Sequence, residues 1–249
     1  MTTIDPRFRV DVLARTPRPQ TLVYSAMHQD YSSSYVFTET KHKGYDPSPL
    51  ESFAGKTIVS HLLKGNRGHF GPFEHPQITF NAGYFPHSVM QQLRTHRVGI
   101  SFDVQSLRYT SEGFMNVAAG IISPEEVFYL RPVGDYTSRS GDKYHYSKEQ
   151  RADDVEYCIA AAKRYYIDRS KGMSEEHARG KLPFDFRQHF IMSVNLRSLM
   201  HLLDLRAKLD AQLEARQFCE LVIPHFVDWT PEVAEWYVEH RLGKARLSP

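Results

Sequence analysis

The sequence predicts an α+β chain with few strands and several long helices, and two observations carry that expectation. Residues Gln77–Phe85 place Ile78, Phe80, Ala82 and Tyr84 at every second position against polar or small neighbours. That is the period of a half-buried strand. By contrast, about Gln150–Arg169, Leu196–Arg206 and Asp210–Ile223 read as helices, and in the second Leu199, Met200, Leu202 and Leu203 share one side.

Taken in order, the first fifty residues are rich in Tyr, Ser and Pro, with a predicted strand at Thr21–Ser25. Ser52–Lys64 has helical potential, with Ile58, Leu62 and Leu63 as core candidates. After the strand at Gln77–Phe85, a helix is expected over Pro86–His96, since proline is harmless in a first turn. Val89, Met90 and Leu93 then face a core, while Gln92, Thr95 and His96 share another side. Residues 110–147 are weakly patterned, and Ser138–Gly141 reads as a flexible tip. Gln188–Val194 reads as a strand, Asn195 as the cap of the Leu196–Arg206 helix, and Pro224 as the stop of the next helix. Thr230 and Pro231 begin a last helix as cap and first residue. No repeat or low-complexity linker interrupts the chain, so one domain over 1–249 is expected.

Composition narrows the function classes. At 249 residues the chain can bury one large core. Hydrophobic content of 41% and charged content of 24% are ordinary globular values. A formal net charge of +2 argues against a dedicated nucleic-acid scaffold. No apolar run reaches spanning length, and the first residues lack the plan of a secretory signal, so a cytoplasmic protein without membrane attachment is expected. Two cysteines, Cys158 and Cys219, make neither a disulfide framework nor a zinc motif, and both lie in helix-like runs as packed residues. Thirteen histidines raise the thought of a metalloenzyme, but no paired ligand motif appears and no metal is expected.

The densest chemistry lies at Arg94-Thr95-His96-Arg97 and Ser101-Phe102-Asp103-Val104-Gln105-Ser106-Leu107-Arg108-Tyr109. Arginine forks pair bidentately with phosphate or a base edge, and serine hydroxyls with loop amides complete an anion cradle. Such a run is ordinarily a solvated face. Its position where a core-facing helix gives way to a loop favours binding. One alternative is a nucleotide- or nucleic-acid-phosphate-binding module with an Arg-rich loop and no catalysis.

Here the residues resemble the flavin-dependent thymidylate synthases. That family's signature is R-H-R, seven residues, then S, usually continuing to R-Y. This chain has Thr95-His96-Arg97, eight residues, then Ser106-Leu107-Arg108-Tyr109. Threonine thus replaces the first arginine, and the spacer is one residue longer. Gly68-His69-Phe70-Gly71-Pro72-Phe73-Glu74-His75 is similar to the family's H-x-S/T-P-F-E-H segment, with Gly71 where a hydroxyl is usual. Ala178-Arg179 before Leu182-Pro183 resembles A-R-x-x-L-P, and Asn195–Arg206 resembles N-x-R-S-L-x-x-F/L-L-x-L-R. The ordered motifs occupy residues 68–212, with 110–147 as a family-variable segment.

The resemblance implies a mixed or antiparallel sheet flanked by long helices, and a homotetramer with active sites at subunit interfaces. It implies a methyltransferase that converts dUMP to dTMP by reductive methylation without a protein nucleophile. FAD is the implied cofactor, with NADPH and 5,10-methylenetetrahydrofolate as co-substrates. The implied dUMP contacts are Gln92, Arg94, Thr95, Gln105, Ser106, Leu107 through its backbone, Arg108, Arg179 and Arg206. The implied FAD contacts are His69, Gly71, Glu74, Thr95, His96, Arg97, Gln105, Asn195, Arg197 and His201. Arg206 is the implied catalytic residue, stabilising charge on the uracil edge. Each has a plainer reading: Asn195 as a cap, Arg206 as compensation of a helix dipole, Glu74 as a surface carboxylate, His96 as an ordinary histidine. The ordered set of motifs is what outweighs those readings.

Overall fold

The computed structural model describes residues 4–36, 47–65, 69–138 and 140–244. Six strands are described: β1 (Arg9–Arg15), β2 (Gln77–Pro86), β3 (Ile100–Val104), β4 (Gly134–Thr137), β5 (Lys143–Tyr146) and β6 (Arg187–Asn195). The described helices are α1 (Pro19–Gln29), α2 (Pro47–Ile58), α3 (His87–Leu93), α4 (Glu112–Ala118), α5 (Lys148–Ser170), α6 (Glu175–Ala178), α7 (Leu196–Arg206), α8 (Leu213–Trp229) and α9 (Pro231–His240). One sheet has the order β1-β2-β6-β3, and β4 pairs with β5 in an antiparallel hairpin. The mixed α/β composition agrees with the expected class. The chain divides into two compact units: residues 1–9, 82–94 and 103–190 form the first, and 10–81, 95–102 and 191–249 the second.

The first unit is organised by α5. Ser147 and Gln150 close a reciprocal capping box at its start, with the Ser147 hydroxyl accepting from Gln150 N at 3.2 Å and Gln150 Oε1 accepting from Ser147 N at 2.9 Å. Cys158, Ala162 and Tyr165 then recur on one side and pack with Leu107, Phe114, Val117, Phe128 and Ala178. The weakly patterned 110–147 segment holds α4 and the β4–β5 hairpin. Its tyrosines 136, 144 and 146 surround the Arg131 guanidinium at 5.3–5.9 Å from the ring centroids. The expected tip at Ser138–Gly141 includes Arg139, which lies outside the described residues.

A buried cation also braces this unit. Arg187 donates to Asp5 Oδ2 at 2.6 Å, to the Glu125 carbonyl at 2.7 Å and to the Tyr84 carbonyl at 2.9 Å. Tyr84 has φ of 68°, a conformation costly for a residue with a Cβ. That twist ends the alternation expected for β2: Tyr84 faces outward, and Phe85 takes the buried place.

In the second unit α7 is capped by Asn195, whose Oδ1 accepts from Ser198 N at 2.8 Å. Leu196, Leu199, Met200, Leu202 and Leu203 are buried, and α8 and α9 add Phe218, Val222, Phe226, Val233 and Tyr237. Asp204 on α7 accepts from Tyr237 at 2.8 Å and from Arg241, whose Nε reaches both carboxylate oxygens at 3.2 and 3.0 Å and whose Nη2 donates at 2.9 Å.

Several expectations are corrected. Thr21–Ser25 is helical within α1, because Glu51 accepts from the backbone of Gln20 at 2.7 Å and of Thr21 at 2.9 Å, satisfying the first-turn donors. Gln20, Val23 and Met27 are buried at helical spacing. The expected Pro86–His96 helix spans only His87–Leu93, and the following loop contains β3. Pro224 lies inside α8 rather than ending it, because Phe226 and Trp229 continue the buried face beyond it. Thr230 and Pro231 begin α9 as cap position and first residue as expected, but the Thr230 hydroxyl donates to the Phe226 carbonyl at 3.2 Å and makes no side-chain cap. β1 was not anticipated. Ile58, Leu62 and Leu63 are buried as expected, the helix of α2 passing into a wider π-helical turn at Val59–Leu63.

Candidate functional site

The residues singled out by the motifs fall into two groups, one in each unit. In the first unit Ser106 opens a tight turn. Its carbonyl accepts from Tyr109 N and from the Thr110 hydroxyl, both at 3.0 Å, and its own hydroxyl accepts weakly from Arg108 N at 3.4 Å. Leu107 turns its side chain into the core, which fixes the turn and leaves Leu107 to contribute backbone alone. Arg108 is exposed and lies 3.5 Å from Glu176. Gln105 is stitched to β6: its backbone N donates to the His189 carbonyl at 2.9 Å, and its Oε1 accepts from His189 N at 3.3 Å. The Gln105 side chain therefore serves the strand. Gln92 is half-buried on α3, whereas Arg94 and Arg179 are exposed, with no side-chain partner among the described residues.

In the second unit the residues hold one another. Glu74, at the end of a 3₁₀ turn over Gly71–Glu74, accepts from Arg197 at 2.5 Å. Arg197 also lies 6.0 Å over the Phe70 ring. His69 pairs with Asp30 at 2.8 Å. Gly68, the start of that motif, lies outside the described residues. Arg206, the last residue of α7, donates from Nη2 to the Thr95 hydroxyl at 2.7 Å and from Nε to His96 Nε2 at 3.2 Å. His96 meets His201 edge to face at 5.2 Å between centroids. Thr95 and His96 lie beyond the end of α3, so the side shared with Gln92 that the sequence suggested does not form. Arg97 is exposed and has no side-chain partner among the described residues.

Electrostatics follow from burial. His96 is pushed down to about 4, first by desolvation, then by the Arg206 cation and by the neighbouring His201. It is neutral near pH 7, as an acceptor for Arg206 must be. Burial also lowers His201, and it lowers Arg206 from its usual high value. Both cysteines are buried, and desolvation raises both thiols, Cys158 to about 11. Neither has the exposed, electropositive setting of a nucleophile. Among the described residues no group of three or more His, Cys, Asp or Glu is placed to hold a metal ion, and no helix is long and apolar enough to cross a membrane.

Several structurally decisive residues were not singled out from sequence. Gly99, with φ of 65°, lies in the eight-residue spacer, and a Cβ there would fall 2.1 Å from Asn195 Nδ2 and 2.4 Å from Ser198 Oγ. The Ser198 hydroxyl also donates to the Val98 carbonyl at 2.7 Å. A glycine inside the lengthened spacer was the available signal. Asp30 and Glu176 gave none, since lone surface carboxylates are common.

Comparison with known proteins identifies the family. Residues 11–232 match the family described as Thymidylate synthase complementing protein. The flavin-dependent thymidylate synthase of Haloarcula marismortui is 36% identical over 251 residues, covering 96% of this chain and 99% of that protein. The same enzyme of Halobacterium salinarum is 33% identical, covering 97% and 100%. The chain belongs to the flavin-dependent thymidylate synthase family. A solved structure of PolB, a UMP/dUMP methylase from Streptomyces cacaoi bound with 5-Br dUMP, shares the fold, with a TM-score of 0.72 at 20% identity over 99% of this chain and 98% of that one.

Proposed function

We propose that this chain is a methyltransferase that converts dUMP to dTMP by reductive methylation, with FAD as cofactor and with NADPH and 5,10-methylenetetrahydrofolate as co-substrates. In this reading the whole chain acts as one catalytic domain in a cytoplasmic homotetramer with active sites at subunit interfaces. The observation that carries the reading is the half-buried Arg206 guanidinium at the end of α7, held by the Thr95 hydroxyl and His96 Nε2 from the loop beyond α3.

The donor set fits a flavin. A flavin nucleotide offers phosphate and ring carbonyl acceptors, and Arg97, Arg197, Asn195 and His201 are cationic or polar groups suited to them, with Glu74 orienting Arg197. His69, Gly71, Thr95, His96 and Gln105 complete the assigned set. When bound, the flavin supplies the redox chemistry that converts a transferred methylene into a methyl group.

The protein's own residues bind, orient and polarise. Ser106, the Leu107 N–H, Arg108 and Arg179 receive the dUMP phosphate and sugar, with Gln92 and Arg94 beside them. Addition at C6 of the uracil ring, which activates C5 toward the one-carbon electrophile, would place enolate charge on C5 and O4, and a fixed guanidinium at Arg206 would stabilise that charge more than the ground state. Ser106 is a binding group: its hydroxyl accepts from a backbone N–H and no histidine–carboxylate relay activates it.

The test is an absorbance spectrum of the purified protein, followed by an assay for dTMP from dUMP, 5,10-methylenetetrahydrofolate and NADPH. Flavin absorbance and dUMP-dependent product formation are expected. A folded protein that takes up no flavin, or that holds flavin and makes no dTMP, overturns the reading. Retention of nucleic acid without flavin would instead favour a phosphate-binding module.

A further inference from the structure

A line of hydrogen bonds in the first unit ends on the peptide that opens the Ser106 turn. The Gln105 carbonyl accepts from Gln188 Nε2 at 3.0 Å. Gln188 Oε1 lies 2.6 Å from His87 Nδ1, and His87 Nε2 lies 2.7 Å from Gln91 Nε2, one turn further along α3. A carbonyl can only accept, and that assigns every other role. Gln188 turns its amide N–H to Gln105, so its oxygen faces His87. His87 then carries its proton on Nδ1, and Gln91 donates to the bare Nε2. Donation runs in one direction, from α3 through β6 to Gln105. We infer that His87 and Gln188 are positioning residues for the nucleotide site. They set the plane of the Gln105–Ser106 peptide, and with it the turn that offers Ser106, the Leu107 N–H and Arg108 to the dUMP phosphate. This rests on the proposed dUMP contacts of that turn.

Gln188 is only 4% exposed, and a buried amide has to find its partners inside the protein. Its two ends meet groups of matching polarity, one on α3 and one before the turn. His87 is anchored independently of its ring nitrogens. Its backbone N donates to the Phe186 carbonyl at 3.0 Å, and its ring stacks on Phe186 at 4.7 Å between centroids. The two bonds between Gln105 and His189 hold the Gln105 N–H and side chain but leave its carbonyl to Gln188. A trans peptide is planar, so a fixed Gln105 carbonyl also fixes the opposed direction of the Ser106 N–H and the start of the turn. Leu107, buried in the core, holds the turn from the other side. The same line ties α3, which carries Gln92, to the turn that carries Ser106.

The test sets two variants of His87 against each other. His87→Phe keeps a ring on Phe186 and removes both nitrogens. His87→Asn loses the ring and keeps an amide N–H at the place of Nδ1, facing Gln188 Oε1. Loss of the line predicts that the dUMP Kd, read by calorimetry, and the KM for dUMP rise about three- to tenfold in His87→Phe. Its kcat at saturating dUMP should stay within about twofold of the wild type, as when binding alone is weakened. His87→Asn should stay within about twofold of the wild type in Kd and in kcat. A packing role predicts the reverse order, because the variant that keeps the ring would then bind better. Independently of turnover, ¹⁵N NMR of the wild type should show His87 as the Nδ1–H tautomer. Should His87→Phe fail to fold, the tautomer and the comparison of His87→Asn with the wild type decide the matter. A proton on Nε2, an unchanged dUMP Kd in His87→Phe, or weaker dUMP binding by His87→Asn than by His87→Phe overturns the inference alone. A wild type that binds no dUMP overturns the proposed function and this inference with it.

Discussion

The two groups of site residues differ in how their side chains are held. In the second unit most assigned side chains are held by a neighbour, Arg197 by Glu74, Arg206 by Thr95 and His96, His96 by His201, and Asn195 by Ser198, with the exposed Arg97 as the exception among the described residues. In the first unit the backbone is held and the cationic tips are not. The Ser106–Tyr109 turn is fixed and Leu107 is anchored in the core, but Arg108 meets an exposed Glu176 and the exposed Tyr109 ring, and Arg94 and Arg179 have no side-chain partner among the described residues. The difference suits the tasks proposed for them. A group that stabilises charge in a transition state gains from being fixed beforehand. Groups that collect a phosphate lose little by remaining solvated, since a dianion supplies the ordering interaction when it binds.

The largest expected effect breaks the braced group at its centre. Arg206→Ala should cost on the order of 10²–10³ in the rate of dTMP formation, as loss of one preorganised donor typically does. Flavin retention and its reduction by NADPH should survive. Arg206→Lys should recover only part of the rate, because a point charge cannot satisfy Thr95 and His96 together. If Arg206→Ala instead sheds its flavin, Arg206 belongs with Arg197 as a holding residue. Near-normal dTMP formation at saturating dUMP would remove the catalytic role altogether.

The braced group also carries a pH signature. His96 titrates near 6.5 when unfolded and near 4 when folded. As pH falls through that window the unfolded chain takes up the proton first, so folded stability declines from about pH 6.5 to about pH 4 and is constant above. At ~1.4 kcal/mol per unit the loss is on the order of 3 kcal/mol. Burial lowers His201 and His189 as well, and both act with the same sign. Urea midpoints measured across this range for the wild type and His96→Asn separate the contributions. The variant should show the shallower decline, and parallel curves would mean that His96 is not held neutral.

What was legible in the sequence divides along a physical line. The limits of α7 were read correctly because their causes are local: an asparagine cap accepts three residues on, and a leucine stripe repeats at helical spacing. The same holds for Cys158 and Cys219, placed as packed residues from the runs around them. Thr21–Ser25 was misread because what makes it helical is Glu51, thirty residues away. The site residues were named one by one through the motifs, but their partnerships were not. Thr95 and Arg206 stand 111 positions apart, and nothing in either segment tells that one accepts from the other. Gly99 lies between these cases: its residue type was visible, and the crowding by Asn195 and Ser198 that requires it was not.

A smaller change sharpens the contrast from the loosely held side. Glu176 lies 3.5 Å from Arg108, and both side chains are about half exposed. An ion pair of that kind is worth ~0–1 kcal/mol. Glu176→Gln should leave stability within experimental error. It frees the guanidinium and removes a negative charge beside the proposed phosphate contact. The KM for dUMP should fall by up to about fivefold, more at low salt than at high salt. An unchanged or raised KM would show that Arg108 does not meet the nucleotide.

The smallest expected effect concerns Gly71, which stands where the H-x-S/T-P-F-E-H motif it resembles has a hydroxyl. Its backbone is not in the left-handed region, and a Cβ built there meets nothing within 4 Å. Neither strain nor crowding therefore demands glycine in the turn that carries Glu74 toward Arg197. Replacing a glycine at a position another residue can adopt stabilises by reducing the freedom of the unfolded chain, by ~0.4–1 kcal/mol. Gly71→Ser should thus fold normally, with a melting temperature equal to or slightly above the wild type. Because the added hydroxyl lies in the segment assigned to the flavin, its Kd for flavin should fall by about twofold, which a titration of the apoprotein measures. A marked loss of stability would mean that the turn needs a freedom only glycine has. A weaker grip on flavin with stability intact would place the turn against the cofactor so closely that even one hydroxyl intrudes, which makes the site around Arg197 tighter than its exposed salt bridge suggests.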